Sequence, residues 1–434
     1  MITGIAEGFH DASKCIISDD GDIIYAGHAE RYSRKKNEKH LSDLMPDNQG
    51  VTVFYEKPFL KNLRRLYAGQ SWKKRNTYDY YVSHHWSHAA AAYYTRSFVE
   101  EPVCVVIDAI GEWDTASIWW KKKKVWSMKY PKSLGLFYSA ITQAIGLKPN
   151  EDEYITMGMA AFGEPRYEFE PYLNYHRGGL FLGKEEDLAA SAQKIIEDEI
   201  VKIMLKARKY SEYLCYGGGV ALNCVANSKI YHMFKKIWIL PNPGDAGNSL
   251  GAAASYLNKP LKWRNAYLGH NIKTTPNARE IARYLSVNHI CGVATGRAEF
   301  GPRALGNRSL LGDPRHAIKD VVNSIKQRQK YRPFAPAILE EWADKYFTGP
   351  KNEYMQYVSR ANHDFNSVTH VDGTARVQVV KNDGSMIRKI LEEFYELTRC
   401  PMLLNTSLNI KGQPMINTLK EAKQFESTYG VKVF

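Results

Sequence analysis

The chain repeats one short pattern, in which an apolar strand-like run leads through a glycine-containing turn into a helix-like run. YLCYGGGVALNCVAN (residues 213–227) shows the pattern, and IWILPNPGDAGNSLGAAASYL (residues 237–257) shows it again. Repeated strand–turn–helix units are typical of proteins in which helices cover a sheet. Strand-like runs joined by a tight turn, as in CIISDDGDIIYAG, indicate hairpins as well. We therefore predict the α/β fold class, with α+β character over the chain as a whole.

The length of the chain favours two domains. Its 434 residues exceed what one hydrophobic core usually serves, and a second set of elements begins near LNKPLKWRNAYLGHN (residues 257–271). We place the domains at 1–265 and 266–434. No apolar run is long enough for a membrane span, and the first residues lack the basic and apolar regions of a signal peptide. The six cysteines are scattered without a CxxC pair, so we expect reduced thiols in a cytoplasmic protein.

Positive charge is concentrated in two runs of a chain whose net charge is +13. KNLRRLYAGQSWKKRN (residues 61–76) and KKKKVWSMKYPK (residues 121–132) interleave lysine and arginine with tryptophan and tyrosine. Such runs are either solvated faces or tracks for a phosphate backbone with aromatic rings for stacking. A basic composition also suits a nucleotide or another anionic substrate. Nucleic acid, DNA included, and nucleotides are therefore suggested partners, whereas no membrane partner is expected.

Two histidines and two aspartates form a candidate metal-binding set. HHWSHAAAAYY places His84 and His88 four residues apart, which puts both imidazoles on one face of a helix. Asp108 ends the apolar run VCVVID, and Asp245 lies where a loop meets a helix start. Two nitrogen and two oxygen ligands suit a divalent metal such as iron, zinc or manganese. The alternatives are a histidine pair on a helix surface and an Asp245 that only caps its helix.

The glycine triplet of GGGVALN follows a strand and opens a helix. Backbone N–H groups at such a position can approach phosphate oxygens at the positive end of the helix. Gly218 and Gly219 are therefore candidate nucleotide contacts. A tight structural turn is the alternative explanation of the triplet.

Arginine is densest in GRAEFGPRALGNRSLL (residues 296–311) and the segments that follow it. Guanidinium groups set among glycine, proline and apolar residues are costly unless they are paired. Because arginine forks bind phosphate and carboxylate bidentately, we expect a polyanionic small ligand rather than internal ion pairs. The arginines in this setting are Arg303, Arg308, Arg332 and Arg376, and polar residues of neighbouring segments are Lys326, Arg328, Asn405, Ser407 and Asn409.

Motifs along nearly the whole chain resemble the nodulation-type and tobramycin-type O-carbamoyltransferases. The matching segments occur in the family's order. They are GFHDAS, HAERYSRKK, HHWSHAAAA, VIDAIGE, EYITMGMAAFGEP, DLAASAQ, GGGVALN, PNPGDAGNSLGAA, GRAEFGPRALGNRSLLGDPR, IKQRQKYRPFAP, HVDGTARVQ and PMLLNTSLNIKGQP.

The resemblance implies a fold and a reaction. The N-terminal domain is expected to be actin-like, and the C-terminal domain to resemble threonylcarbamoyl-adenylate synthases (YrdC-like). The implied enzyme makes carbamoyl adenylate and pyrophosphate from carbamoyl phosphate and ATP in the C-terminal domain. An acceptor hydroxyl then takes the carbamoyl group in the N-terminal domain. ATP, with magnesium, and a second divalent metal are the implied cofactors, and iron is the metal that the resemblance favours.

The resemblance also implies roles for individual residues. His84, His88, Asp108 and Asp245 correspond to the iron ligands. His10 of GFHDAS corresponds to a histidine that stabilises the developing oxyanion, and Asp187 of DLAASAQ is the candidate base for the acceptor hydroxyl. Their alternatives are a buried His10 satisfied by the backbone and an Asp187 that only caps its helix. The contacts to ATP and the adenylate are Arg303, Lys326, Arg332, Asn405 and Ser407.

Two further assignments concern the phosphorylated reactants. Arg376 corresponds to the contact with carbamoyl phosphate, and Lys35 aligns with an adenylate contact. Arg34 and Lys36 are alternative alignments for Lys35.

The chain departs from the family's pattern at three places. Ile155 stands where lysine is usual, Ala29 precedes ERYSR where glutamate is common, and residues 165–188 form a shorter segment than expected. The last difference concerns the acceptor, which the sequence leaves open together with the oligomeric state. A hydroxymethylated pyrimidine in DNA or a nucleotide is one acceptor class, and a small sugar or antibiotic hydroxyl is another. Threonylcarbamoyl transfer to tRNA and a non-catalytic nucleotide-gated nucleic-acid binder are the competing functions.

Overall fold

A computed structural model of the chain describes residues 1–73, 76–170 and 182–434. The chain divides into two compact units. One comprises Met1–Ala29 and Asn37–Asn265, and the other comprises Glu30–Lys36 and Ala266–Phe434. The short helix α1 (Glu30–Ser33) thus belongs to the second unit. Helices and strands alternate in both units, and the mixed α/β fold is confirmed.

The described residues of the first unit form two five-stranded sheets of identical topology. The strands of the first sheet are β1 (Ile2–Ala6), β2 (Ser13–Ile17), β3 (Ile23–His28), β4 (Val51–Phe54) and β5 (Tyr80–Tyr81). The strands of the second are β6 (Val103–Ile107), β7 (Asp114–Trp120), β8 (Lys123–Lys129), β9 (Tyr213–Gly217) and β10 (Lys236–Ile239). The orders are β3-β2-β1-β4-β5 and β8-β7-β6-β9-β10. In both sheets the first three strands are antiparallel and the last two are parallel to the central strand.

Seven α-helices lie among the described residues of the first unit. They are α2 (Pro58–Tyr67), α3 (His84–Thr95), α4 (Leu134–Ala144), α5 (Glu153–Met159), α6 (Glu185–Arg208), α7 (Cys224–Ile230) and α8 (Asn248–Leu257). Small residues let α8 approach its neighbours closely. A Cβ atom built on Gly251 would lie 1.8 Å from the carbonyl oxygen of Ser87 in α3, and one on Gly4 of β1 would lie 1.8 Å from that of Ser249. The alanine-rich face of α3, with the glycine of α8, therefore fixes how near these two helices lie.

We expect Gly251→Ala to destabilise the first unit by about 2 kcal/mol, because the added methyl group has to push α8 away from α3. Urea denaturation measures the effect. Gly158→Ala is the matched control, since a Cβ there meets nothing within 4 Å in helix α5. Equal stabilities of the two variants would contradict the close packing of α3 and α8.

The second unit is built around a mixed sheet of order β12-β14-β20-β15-β19. Its strands are β11 (Tyr267–Ile272), β12 (Ile290–Ala294), β13 (Gly296–Glu299), β14 (Arg308–Gly312), β15 (Ala335–Leu339), β16 (Phe347–Thr348), β17 (Ser359–Ala361), β18 (Thr374–Ala375), β19 (Gln378–Val380) and β20 (Met402–Ser407). Strands β11 and β13 form a separate pair, and β16, β17 and β18 form a small antiparallel sheet.

Helices cover the mixed sheet and close its hydrophobic core. They are α9 (Ala278–Asn288), α10 (Lys319–Ile325), α11 (Glu340–Tyr346), α12 (Met386–Thr398) and α13 (Leu419–Tyr429). Leu285 of α9 and Phe394 of α12 are fully buried in this core. Local sequence sets the helix starts, as in the capping box that Thr418 and Glu421 form at α13. Within the described ranges, no helix has both the length and the apolar character of a membrane span.

Candidate metal centre

Four side chains from three parts of the first unit converge in its interior. His84 and His88 lie on the first two turns of α3, Asp108 directly follows β6, and Asp245 begins a short 3-10 turn ahead of α8. All four are buried. One ligand atom from each lies within 4.8 Å of the others. We call these residues the cluster.

The distances inside the cluster suit a divalent metal. His84 Nε2 lies 3.0 Å from Asp108 Oδ2 and 3.4 Å from Asp245 Oδ1. His88 Nε2 lies 3.4 Å and 3.3 Å from the same two oxygens. Ligands bonded at about 2.1 Å to one metal are separated by roughly 3.0 to 3.4 Å, so these contacts match a shared ion. The set of two imidazole nitrogens and two carboxylate oxygens suits iron, zinc or manganese.

Backbone groups behind the cluster orient two of its members. The carbonyl oxygen of Pro243 lies 3.0 Å from His88 Nδ1 and also accepts from the N–H of Gly218. Because a carbonyl only accepts, Nδ1 carries the proton and the lone pair of Nε2 faces the cluster. The N–H of Gly219 donates to Asp108 Oδ1 over 3.1 Å.

The glycine turn therefore has a role other than the predicted one. We expected the N–H groups of Gly218 and Gly219 to contact a nucleotide, but both already donate, to Pro243 and to Asp108. Gly218 has a φ of 93°, and a Cβ there would lie 2.2 Å from the carbonyl oxygen of Ile107. Only glycine fits this turn, which holds one metal-ligand candidate and the carbonyl that orients another.

Glu112 is a site residue that the sequence did not reveal. Its buried carboxylate accepts hydrogen bonds from the backbone N–H of His84 and of Lys57, both 2.9 Å long. It thereby satisfies an amide at the start of α3, where the dipole of the helix also favours a negative charge. The only sequence signal was an acid in the turn IGEWD ahead of β7.

The carboxylates and imidazoles of the cluster shift one another's pKa values. Burial opposes ionisation of Asp108, but hydrogen bonds with His84 and His88 outweigh it and hold the pKa of Asp108 well below its usual value. Burial would also lower the pKa of His84, yet Asp245 and Asp108 raise it well above its usual value. Without a metal the cluster thus keeps a proton, and a metal that binds here has to displace it.

The structure brings His10 to the edge of the cluster. Its Nε2 lies 3.9 Å from Asp245 Oδ2, and its Nδ1 lies 2.9 Å from Asp11 Oδ2. Burial alone would lower the pKa of His10, but the hydrogen bond to Asp11 and the charges of Asp245 and Asp108 raise it to about 9. His10 is therefore a cation beside the cluster at neutral pH.

Asp187 lies in the first turn of α6, and its hydrogen-bond and ion-pair partners are residues outside the cluster. Its carboxylate accepts from the N–H of Glu164 over 2.8 Å and lies 3.5 Å from the Arg166 guanidinium. The carboxylate therefore holds the start of the segment that follows α5. Residues 171–181 of that segment lie outside the described residues.

In the second unit, the predicted ligand contacts include a caged lysine. Lys326 is buried, and its Nζ donates to the carbonyl oxygens of Ser407 and Asn409 and to the side chain of Asn409. Burial, and the charges of Arg328 and Arg332 after it, hold the pKa of Lys326 well below its usual value. Lys326, Ser407 and Arg332 therefore share one positively charged neighbourhood.

The other predicted contacts of this unit differ in how far their side chains are buried. Asn405 is buried and donates to the carbonyl oxygen of Ala304, next to Arg303, and to Gln378. Arg303, Arg332 and Arg376 are half-buried. Lys35 is exposed, whereas the alternative Arg34 donates to the carbonyl oxygens of Pro414 and Met415.

The expectation that a small anion binds Arg308 is wrong, and two other arginines nearby in the sequence, Arg297 and Arg315, are also paired within the protein. Arg308 is fully buried, and its guanidinium donates to five backbone carbonyl oxygens, including those of Thr295 and Asn417. Arg297 likewise donates to the carbonyls of the β11 strand. Arg315 pairs bidentately with buried Asp313. Backbone carbonyls and one carboxylate, rather than a ligand, therefore accept the hydrogen bonds that these guanidinium groups donate.

The first basic run is also partly internal. Lys61 is buried with Glu56 at 2.6 Å, and Arg64 is buried against the carbonyl of Glu112. Lys74 and Arg75 lie outside the described residues. In the second run, Lys121 to Lys124 are exposed at and after the β7–β8 turn, and Lys124 pairs with Asp114 over 2.6 Å, so this run is the more exposed of the two among the described residues.

Comparison with known proteins agrees with the resemblance. Residues 282–434 match the family model for the Carbamoyltransferase C-terminus, and residues 46–179 and 169–254 match that for the Carbamoyltransferase N-terminus. An uncharacterized protein of Synechocystis is 30% identical over 97% of this chain and 93% of its own length. The nodulation protein NolO of Bradyrhizobium diazoefficiens is 31% identical over 79% of this chain and 75% of its own length. Nodulation protein U of Azorhizobium caulinodans is 33% identical over 53% of this chain and 46% of its own length. The chain therefore belongs to the carbamoyltransferase family and is a carbamoyltransferase enzyme.

Proposed function

We propose that the protein is an ATP-dependent O-carbamoyltransferase that works through carbamoyl adenylate. The observation that carries the proposal is the buried cluster of two histidines and two aspartates in a chain of the carbamoyltransferase family. A buried N2O2 set of this kind is suited to hold a metal beside a phosphate or carbonyl oxygen. The half-buried arginines of the second unit supply the positive charge that two phosphorylated reactants require.

The domain assignment belongs to the same proposal. The first unit is the actin-like transfer domain, and its two sheets of identical topology support this assignment. The second unit is the adenylate-forming domain of the threonylcarbamoyl-adenylate synthase type. The expected boundaries are 1–265 and 266–434, with the segment Glu30–Lys36 packed in the second unit.

The proposed reaction has two steps, formation of carbamoyl adenylate and transfer of the carbamoyl group. The mixed anhydride joins a carbamate oxygen to the α-phosphorus of ATP. Carbamoyl phosphate therefore gives up its phosphoryl group to water, and ATP loses pyrophosphate as the new phosphorus–oxygen bond forms. In the second step the acceptor oxygen bonds to the carbamoyl carbon, AMP leaves, and one proton is released from the acceptor hydroxyl.

Residues of the first unit serve the second step. His84, His88, Asp108 and Asp245 would hold the metal, which would supply a Lewis acid for the phosphate and the carbamoyl group. His10, a cation 3.9 Å from Asp245, neutralises the charge that develops on the carbamoyl oxygen. Asp187 takes the proton of the acceptor hydroxyl, for which it has to exchange its contacts with Glu164 and Arg166.

Residues of the second unit serve the first step. Arg303, Arg332, Lys326, Asn405 and Ser407 bind ATP and the adenylate, and Arg376 binds carbamoyl phosphate. Lys326 is held by three oxygen acceptors, so it acts as a fixed hydrogen-bonding group rather than as a mobile contact. Lys35 is an exposed lysine of the same unit that is available to the adenylate.

Pyrophosphate release tests the proposed reaction. We expect the metal-loaded protein to release pyrophosphate from ATP when carbamoyl phosphate and magnesium are supplied. Absence of release would favour a non-catalytic nucleotide binder. Release with threonine and bicarbonate, but not with carbamoyl phosphate, would favour threonylcarbamoyl chemistry on tRNA instead.

We also propose that the acceptor hydroxyl is carried by a nucleic acid or nucleotide, such as a hydroxymethylated pyrimidine in DNA. The observation that supports this class is the exposed run Lys121 to Lys124 beside Trp119 and Trp120. A compact sugar or antibiotic does not require such a basic surface.

Salt dependence tests the nucleic-acid acceptor. We expect duplex DNA to bind with an affinity that falls by about tenfold or more between 50 and 200 mM salt, roughly as a few phosphate contacts predict. Substitution of Lys121, Lys122 and Lys123 by glutamine should flatten this dependence in a fluorescence anisotropy titration. Substitution of the exposed Lys194, Lys202 and Lys209 of α6 and its C-cap is the control for net charge. Salt-independent or absent binding would contradict this acceptor class.

A further inference from the structure

A fifth side chain reaches the cluster besides the two histidines and the two aspartates. Asn248 is the first residue of α8, three positions after Asp245, and is fully buried. Its amide nitrogen lies 3.0 Å from His88 Nε2. This separation equals the shorter distances among the ligand atoms of the cluster. The side chain therefore occupies a position that an additional ligand would take.

The amide and a metal compete for the same lone pair. His88 Nδ1 carries its proton because it faces the carbonyl oxygen of Pro243, so Nε2 has one lone pair directed into the cluster. In the arrangement described, an N–H of Asn248 points at that lone pair. A metal bonded to Nε2 would then face an amide N–H, which is an unfavourable contact between two positive groups.

Rotation of the amide by half a turn removes this conflict. The oxygen and nitrogen of an asparagine amide are assigned from their hydrogen bonds, since their shapes are nearly the same. Asn248 Oδ1 is buried and accepts from no donor among the described residues, so the rotation breaks no bond at that atom. It places a carbonyl oxygen, a good ligand for a divalent metal, at 3.0 Å from Nε2.

We propose that Asn248 is a fifth protein ligand of the metal and binds through its amide oxygen. This inference rests on the proposed metal site of the carbamoyltransferase. The centre then has two nitrogens and three oxygens from the protein. Asp245 and Asn248 lie three residues apart, in the 3-10 turn and at the start of α8, so this segment supplies two ligands and α3 supplies two more.

The direction in which metal affinity changes distinguishes a side chain that binds the metal from one that competes with the metal for His88. Asn248→Leu keeps the volume and removes the oxygen, so we expect Mn(II) or Fe(II) to bind about tenfold more weakly or worse. Asn248→Asp keeps an oxygen, and we expect its affinity to equal or exceed that of the unaltered protein. Titrations under anaerobic conditions measure both, and thermal unfolding without metal verifies that each variant is folded.

Asn242→Leu is the matched control. Asn242 is also buried, and its amide nitrogen lies 3.2 Å from His28 Nε2 outside the cluster. We expect the metal affinity of Asn242→Leu to differ from that of the unaltered protein by less than about threefold, because Asn242 does not bind the metal. Tighter or unchanged binding by Asn248→Leu would overturn the inference, and so would equal weakening by Asn248→Leu and Asn248→Asp. If the unaltered protein bound no metal, the proposed centre itself would be wrong, together with the inference.

Discussion

His88→Ala is expected to abolish carbamoyl transfer while pyrophosphate release continues. The substitution removes an imidazole whose Nε2 lies 3.4 Å from Asp108 and 3.3 Å from Asp245, so the proposed metal loses a nitrogen ligand and its position. The loss of a Lewis acid worth several kcal/mol corresponds to at least about a thousandfold in transfer rate. Adenylate formation is assigned to residues of the second unit, so pyrophosphate release should stay near its original rate. Product analysis by mass spectrometry and a pyrophosphate assay on the same sample measure the two steps.

His85→Ala is the matched control for this experiment. His85 lies on the same helix and is also buried, but its Nδ1 contacts the Ser117 hydroxyl. Burial, and the nearby His84 after it, hold the pKa of His85 well below its usual value, so removal of this neutral ring leaves the charge of the cluster unchanged. We expect a loss of stability from the cavity without loss of the metal. An equal loss of transfer in the two variants would show that packing of α3, rather than ligation, explains the first result.

Arg376→Ala is expected to reduce pyrophosphate release by about a thousandfold, because it removes a guanidinium assigned to carbamoyl phosphate. Arg376 is half-buried and directly follows β18. The same variant should form no carbamoylated product, since the second step depends on the first. A coupled pyrophosphate assay at several carbamoyl phosphate concentrations separates a binding defect from a slower chemical step.

Arg360→Ala provides the comparison. Arg360 is exposed on β17 and pairs with Thr374 of β18, so it lies on the same small sheet as the segment that leads to Arg376. We expect nearly unchanged release from this variant. If both substitutions reduced release alike, Arg376 would have no specific role in the first step.

Sequence patterns were informative where the signal is local. The strand–turn–helix repeats predicted the mixed α/β fold, and the four-residue spacing of His84 and His88 predicted that both rings share one helix face, as they do. These rings lie next to Asp108 and Asp245 because elements far apart in the chain pack together. The sequence could therefore suggest this cluster only as a hypothesis. Neither Glu112 nor Asn248 was recognised. The three-residue spacing between Asp245 and Asn248 is a signal that could have indicated the second of them.

The arginine-rich segment shows why other features were out of reach. Arg308 donates to backbone carbonyls of residues that range from His270 to Asn417, and no local pattern encodes such a set of acceptors. Composition alone could not separate this internal role from the ligand-binding role that we assign to Arg303. The same limit applies to the segment Glu30–Lys36, where Arg31 donates to the carbonyls of Glu299 and Gly301. Contacts across more than 200 residues place this segment in the second unit.

Anomalous diffraction at the iron edge, from crystals loaded with Fe(II), is a direct test of the proposed metal centre. The proposed metal centre predicts one strong peak in the first unit, at about 2.0 to 2.2 Å from the ligand atoms of His84, His88, Asp108 and Asp245. It further predicts that the peak vanishes in His88→Ala crystals and persists in His85→Ala crystals. A peak elsewhere, or no peak in the unaltered protein, would contradict the metal centre and the transfer mechanism built on it.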